Sequence, residues 1–255
     1  MVVETALPSD GLTLQAHLAR PSGASEYAAP AVVFTHGFPS APAGGANSYS
    51  GFAGLVERVA TTMGWVALSF QFRGTGESEG DFSLDGWLDD IANAVAFVRA
   101  TERVGGVWLA GFGTGGSLAV CAGADDPDVR GVAAVAAPAD FADWARSPRK
   151  LLDHARELGV ITTEGFPDAF DAWSAQLAAH RAESSAARLQ PRPLLVMHGS
   201  DDDLVPQLDA RAVAEAHGQA DLRVIGGAGH RLRHDPRAVA VLLGWLERQR
   251  HRAGV

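Results

Sequence analysis

Short apolar runs alternate with stretches of helical period along most of the 255 residues. LTLQAHLARP (12–21) alternates apolar and polar positions with period two, the pattern of an early antiparallel strand with one solvated face. AVVFTH (31–36), GWVALSFQF (64–72), GVWLAGF (106–112), VRGVAAVAAP (129–138), PLLVMHG (193–199) and LRVIGG (222–227) are nearly continuous apolar runs. Such runs predict strands covered on both faces. Between them Tyr49, Phe52, Val56, Val59 and Met63 recur at helical spacing, as do Leu88, Ile91, Val95 and Val98, and later Val239, Leu242 and Leu246. Strands alternating with helices predict an α/β fold with a mostly parallel central sheet flanked by helices.

The rhythm breaks between residues 139 and 191, where two helical patterns, each carrying a tryptophan (Trp144 and Trp173), follow one another with no strand between them. This segment is expected to be a helical insertion ahead of the penultimate strand, either a cap over a site or an extra structural pair. As a cap it would make the two tryptophans candidate substrate contacts. The rest of 1–255 is expected to form a single domain around it.

Composition narrows the function classes. A net charge of −9 leaves no excess of cations to neutralise phosphates, which argues against nonspecific nucleic-acid binding. No apolar run approaches the roughly 20 residues that span a bilayer, so no membrane partner is expected. The single cysteine, Cys121, excludes an internal disulfide. The opening MVVETALPSDG lacks the basic and apolar regions of an export signal, and the expectation is a cytoplasmic protein. A small molecule is the expected partner; oligomeric state is not specified by these features.

Four groups with chemical potential fall at predicted strand ends. FTHGF (34–38) can leave the Phe38 amide exposed as an oxyanion donor, although His-Gly at a strand end is also an ordinary turn. GFGTG (111–115) has the spacing of a nucleophile elbow with glycine at its centre. MHGSDDDLVP (197–206) delivers Asp201, Asp202 and Asp203, any of which could orient a histidine or cap the helix heralded by Pro206. GGAGHRLRHDP (226–236) presents His230 on a glycine loop, with His234 close to a helix start. The His230–His234 spacing could suggest a metal pair, but no helix aligns the two, and neither metal nor cofactor is expected.

In sequence these groups run oxyanion loop, elbow, acid, histidine, and the chain resembles the α/β-hydrolase family over nearly its whole length. FQFRGTGESEG (70–80) and SLDGWLDDIANAVAFV after it add to the likeness, which is nearest to small serine-aminopeptidase-like and esterase-like members. The resemblance implies an acid at Asp202, a catalytic histidine at His230 and oxyanion donors in the Phe38 and Thr114 amides. Asp140 is a second candidate acid. The implied substrates are esters, thioesters or amides.

The departure from the family is Gly113, which stands where the nucleophilic serine is expected. Without a side chain there the acyl-enzyme route is closed. Thr114, Ser117 and Cys121 are the nearest replacements in sequence; the first is expected to contribute its backbone and the others to pack inward. Three readings follow. The first is a hydrolase or lyase using an Asp202–His230 dyad on water or on substrate. The second is a non-catalytic ligand-binding or regulatory protein that retains the pocket without the chemistry. The third is a dinucleotide-binding oxidoreductase, since GFGTGG also satisfies G-x-G-x-x-G and Asp140 ends the next strand. Against the third, the motif follows two earlier βα units, whereas the fingerprint belongs to the first.

Overall fold

Alternation along the strands sorts their side chains onto two faces of one sheet. In the computed structural model, which describes residues 2–22, 28–41 and 51–253, eight strands form that sheet. They are β1 (Val2–Ser9), β2 (Leu12–Ala19), β3 (Ala29–Thr35), β4 (Val66–Phe70), β5 (Val104–Phe112), β6 (Val129–Val135), β7 (Leu194–Gly199) and β8 (Asp221–Ile225). Their order is β1-β2-β4-β3-β5-β6-β7-β8. The β1–β2 and β2–β4 pairs are antiparallel and every later pair is parallel. This is the α/β-hydrolase fold.

Period two is visible in the packing. Ala31 and Val33 of β3, with Val107 and Leu109 of β5, enter one buried cluster; Val32, Phe34, Trp108, Ala110 and Phe112 enter the other. The first cluster lies under α2 (Leu84–Thr101), α3 (Thr114–Asp125) and α8 (Gln207–His217). The second lies under α1 (Phe52–Met63) and α9 (Pro236–Ala253). Among the described residues no helix is long and apolar enough to cross a membrane.

Differences from the sequence pattern have local causes. β1 was not expected because it is an edge strand whose residues are mostly solvated, leaving little apolar signal. Tyr49 lies outside the described residues, and α1 begins at Phe52. The 139–191 segment contains four helices, not two: α4 (Ala142–Ala145), α5 (Pro148–Glu157), α6 (Phe170–Ala179) and α7 (Ala182–Leu189). Of these, α7 packs on α3 and α8, within the layer that covers the sheet.

A charged anchor fixes the turn after β4. The buried Asp90 carboxylate of α2 accepts from the Arg73 amide (2.9 Å), from the Arg73 guanidinium (2.8 Å) and from Ser9 Oγ (2.7 Å). Removing one partner from such a buried group strands the others without solvent. The Trp87 indole N–H donates to the Arg73 carbonyl, and the Trp87 ring stacks on Phe72 at 4.2 Å and 6°.

Strand order places the functional region. β3 and β5 are neighbours, and the chain leaves β3 toward β4 but leaves β5 toward β6, so the two connections diverge and open a crevice at the carboxyl ends of this pair. The first turn of α3 fills the floor of that crevice. A Cβ on Gly115 would stand 2.2 Å from the His36 carbonyl oxygen, and Thr35 Oγ1 donates to the Gly115 carbonyl at 3.0 Å. Gly115→Ala should therefore destabilise the protein by roughly 1–3 kcal/mol in urea denaturation, because backbone must move to admit the methyl. Unchanged stability would show that α3 is not held by this contact.

Candidate active site

Four loops meet over the carboxyl ends of the parallel strands. Gly37 and Phe38 follow β3; Gly113 and Thr114 join β5 to α3; Asp202 follows β7; His230 follows β8. Gly113 has φ 55° and ψ −130°, a left-handed conformation that glycine adopts without a Cβ penalty. Its amide donates to the Val135 carbonyl at 2.9 Å, which ties the turn to β6.

The acid and the histidine are in contact. His230 Nδ1 and Asp202 Oδ2 are 2.8 Å apart, with the Asp202 side chain 1% exposed and that of His230 9% exposed. The other Asp202 oxygen, Oδ1, accepts from the amides of Leu204 (3.0 Å) and Val205 (2.9 Å). Asp202 is the member of the aspartate trio that contacts His230, and its second oxygen shapes the loop; α8 begins after Pro206 with no side-chain cap. Buried His198 also places Nε2 3.3 Å from Asp202 Oδ2 while hydrogen-bonding the Val205 carbonyl at 2.9 Å. Burial alone would raise the Asp202 pKa; hydrogen bonds from His230 and the two amides, with the attraction of His230, outweigh it and hold the carboxyl below its usual range.

His230 Nε2 faces Gly113. A Cβ built on Gly113 would lie 3.7 Å from that nitrogen and 3.5 Å from Gly37 Cα, ordinary contact distances. Beside this point lies a cavity of about 490 Å³. Gly37, Phe38, Gly113, Thr114, Trp144 and His230 are among its lining residues. The Thr114 amide belongs to the first turn of α3, where amides have no intrahelical acceptor. One wall is aromatic: Trp144 stacks on Phe141 at 5.2 Å and meets the Phe38 ring edge-on at 5.2 Å.

Several candidates stand elsewhere. Trp173 is not among the cavity-lining residues; its ring is buried and its indole N–H donates to the Phe82 carbonyl at 3.1 Å, a core role. Asp140 lines the cavity, but its carboxylate caps the Ala142 amide (2.9 Å) and pairs with Arg181 (3.1 Å), away from His230. Asp201 accepts from Ser200 Oγ at 2.6 Å. Ser117 Oγ donates to the Pro138 carbonyl at 2.6 Å, and Cys121 is buried with its thiol pKa raised, chiefly by that burial; neither lines the cavity. His234 sits in a 3₁₀ turn at Leu232–His234, and among the described residues no group of three His, Cys, Asp or Glu is placed to hold a metal. Sequence reasoning did not single out Asp209, which lines the cavity and accepts from the Ala139 amide at 3.0 Å. Its position in the first turn after Pro206 was the available signal.

Fold and site together define a class of protein. The model of the alpha/beta hydrolase family matches residues 32–242, and the chain belongs to that family. Among curated proteins it is 28% identical over 138 residues to the uncharacterized protein YfhR of Escherichia coli O157:H7, covering 54% of this chain and 43% of that one. The YfhR of Salmonella typhimurium is 26% identical over 151 residues, 55% of this chain and 46% of the relative. The matched regions thus span less than half the length of these relatives. Among solved structures, Est1E from Butyrivibrio proteoclasticus superposes with TM-score 0.73 at 20% identity, covering 96% of this chain and 98% of its own. The hydrolase GrgF from Penicillium sp. sh18 gives 0.76 at 19%, covering all of both chains. At these identities the likeness is one of fold.

The depressed Asp202 pKa has a consequence for stability. A carboxylate whose folded pKa lies below its unfolded value near ~3.9 stabilises the fold above that pH and loses the contribution as pH falls through the folded pKa. Asp202→Asn should cost roughly 1–3 kcal/mol at pH 7. The difference from the unaltered protein should shrink below about pH 4. A gap independent of pH would show that the ionised carboxylate is not what stabilises this corner.

Proposed function

We propose that the protein is a hydrolase of a small ester, thioester or amide in which the Asp202–His230 pair activates water directly. The observation that carries this reading is the placement of His230 Nε2, 3.7 Å from the point where a Gly113 side chain would begin, with Asp202 on its other nitrogen. A water about one bond length beyond that point, within hydrogen-bond reach of Nε2, takes the position a nucleophilic oxygen would otherwise fill. His230 Nε2 accepts a proton as the water oxygen bonds to the substrate carbonyl carbon; the carbonyl π pair moves onto oxygen and is stabilised by the Phe38 and Thr114 amides. Collapse reforms the carbonyl, breaks the bond to the leaving group and returns the proton from His230 to it. Asp202 holds the imidazole in the required tautomer and balances its transient charge.

In this reading α4, which brings Ala142, Asp143 and Trp144 to the cavity, is the substrate-facing part of the 139–191 insertion. The aromatic wall of Phe38, Phe141 and Trp144 favours a substrate with a flat or apolar acyl group. A second reading, ligand binding without turnover, is favoured by Gly113 itself: the wall and cavity remain while the usual nucleophile is absent. Membership of the alpha/beta hydrolase family supports the hydrolase reading over the oxidoreductase one.

Turnover of a panel of p-nitrophenyl esters separates the two. The hydrolase reading expects activity above the buffer rate that falls by about 10²–10⁴-fold in His230→Ala. Equal rates in the two proteins would leave the binding reading.

A further inference from the structure

His36, the residue before Gly37 in the loop after β3, is buried at 1% exposure and has no contact with the proposed substrate position. Its two ring nitrogens are nevertheless both committed. The Phe72 amide donates to Nε2 at 3.1 Å, and Nδ1 lies 2.8 Å from the Gly37 carbonyl oxygen. An amide can only donate, so Nε2 carries the lone pair and the ring proton resides on Nδ1, from which it donates to Gly37 O. Thr75 Oγ1, 3.3 Å from Nε2, gives its own proton to the Phe72 carbonyl at 2.6 Å and does not alter this assignment. Burial, the largest influence, pushes the His36 pKa down to about 4, which keeps the ring neutral near pH 7.

The accepting carbonyl belongs to the peptide that joins Gly37 to Phe38. A trans peptide is planar, with C=O and N–H pointing in opposite directions, so fixing one fixes the other. We propose that His36 is a positioning residue: by holding the Gly37 carbonyl it aims the Phe38 N–H at the oxyanion position. This rests on the hydrolase reading of the site, in which that amide is an oxyanion donor. The aim is transmitted from the turn after β4, because Phe72 supplies the amide that sets the tautomer and Asp90 anchors the adjacent Arg73. The Phe72 and Trp87 rings lie edge-on to the imidazole at 4.9 and 5.7 Å and oppose its reorientation. From the other side, Phe38 is held by ring contacts to Phe82 at 4.9 Å and Trp144 at 5.2 Å.

Two substitutions separate the two hydrogen bonds. In His36→Asn the carboxamide nitrogen overlays Nδ1 and still donates to Gly37 O, while the acceptor for Phe72 is lost. In His36→Gln the carboxamide oxygen overlays Nε2 and still accepts from Phe72, while the donor to Gly37 is lost. Each is made in a Gly113→Ser background and its rate of phosphonylation by a fluorophosphonate is measured. His36→Gln should slow labelling by about 10–100-fold, because a misdirected amide stabilises the developing oxyanion poorly. His36→Asn should recover most of that loss. Equal effects from the two variants would overturn the proposal.

Failure of Gly113→Ser alone to label would count against the hydrolase reading, and the positioning claim is then decided without activity. In the otherwise unaltered protein labelled with ¹⁵N-histidine and ¹⁵N-phenylalanine, the His36 proton should be found on Nδ1. The Phe38 amide resonance should shift or broaden in His36→Gln and stay close to its original position in His36→Asn. A proton on Nε2, or a Phe38 amide that responds alike to both variants, would contradict the role even if one variant folds poorly.

Discussion

Gly115 has no Cβ, and the first turn of α3 therefore reaches the chain leaving β3 so closely that a methyl would stand 2.2 Å from the His36 carbonyl oxygen. That contact sets the distance between two loops that are far apart in sequence. Thr114, at the positive end of a helix, and Phe38, in the loop after the neighbouring strand, line the same cavity. Thr35 adds a buried hydrogen bond across the same seam.

The second half of the site depends on a carboxylate with two duties. Asp202 shapes its own loop through the Leu204 and Val205 amides and holds His230 through its other oxygen. A buried ionised group is costly unless its lone pairs are satisfied. Here the two loop amides satisfy one oxygen and the His230 ring satisfies the other. The loop is consequently pre-shaped before any ligand arrives, which is the condition under which electrostatic stabilisation acts without reorganisation. Gly113 sits opposite this assembly in a conformation that a side chain would strain, and glycine relieves the turn.

Much of this was legible in the sequence, for physical reasons. Six of the strands announce themselves as apolar runs, the pattern of strands in a parallel sheet covered on both faces, and β2 by alternation; motifs at strand ends are recognisable because the crevice lies there. The edge strand β1 was not, since solvated residues carry no burial pattern. Trp173 illustrates another limit: spacing shows that it faces something apolar, but not whether that is core or cavity. Within the aspartate trio, sequence could not divide one carboxylate's two oxygens between two tasks. His36 reads locally as part of a turn; its contacts come from a segment 36 residues away, and only the folded chain joins them.

The central claim is that water, not a side chain, is the nucleophile at Gly113. It is tested most directly by rapid-quench intact-mass spectrometry during a single turnover of an activated ester by the unaltered protein. The account predicts first-order release of both products, faster than in buffer, with the protein mass unchanged at every time point. Transient appearance of an acylated chain, or release no faster than in buffer, would contradict it.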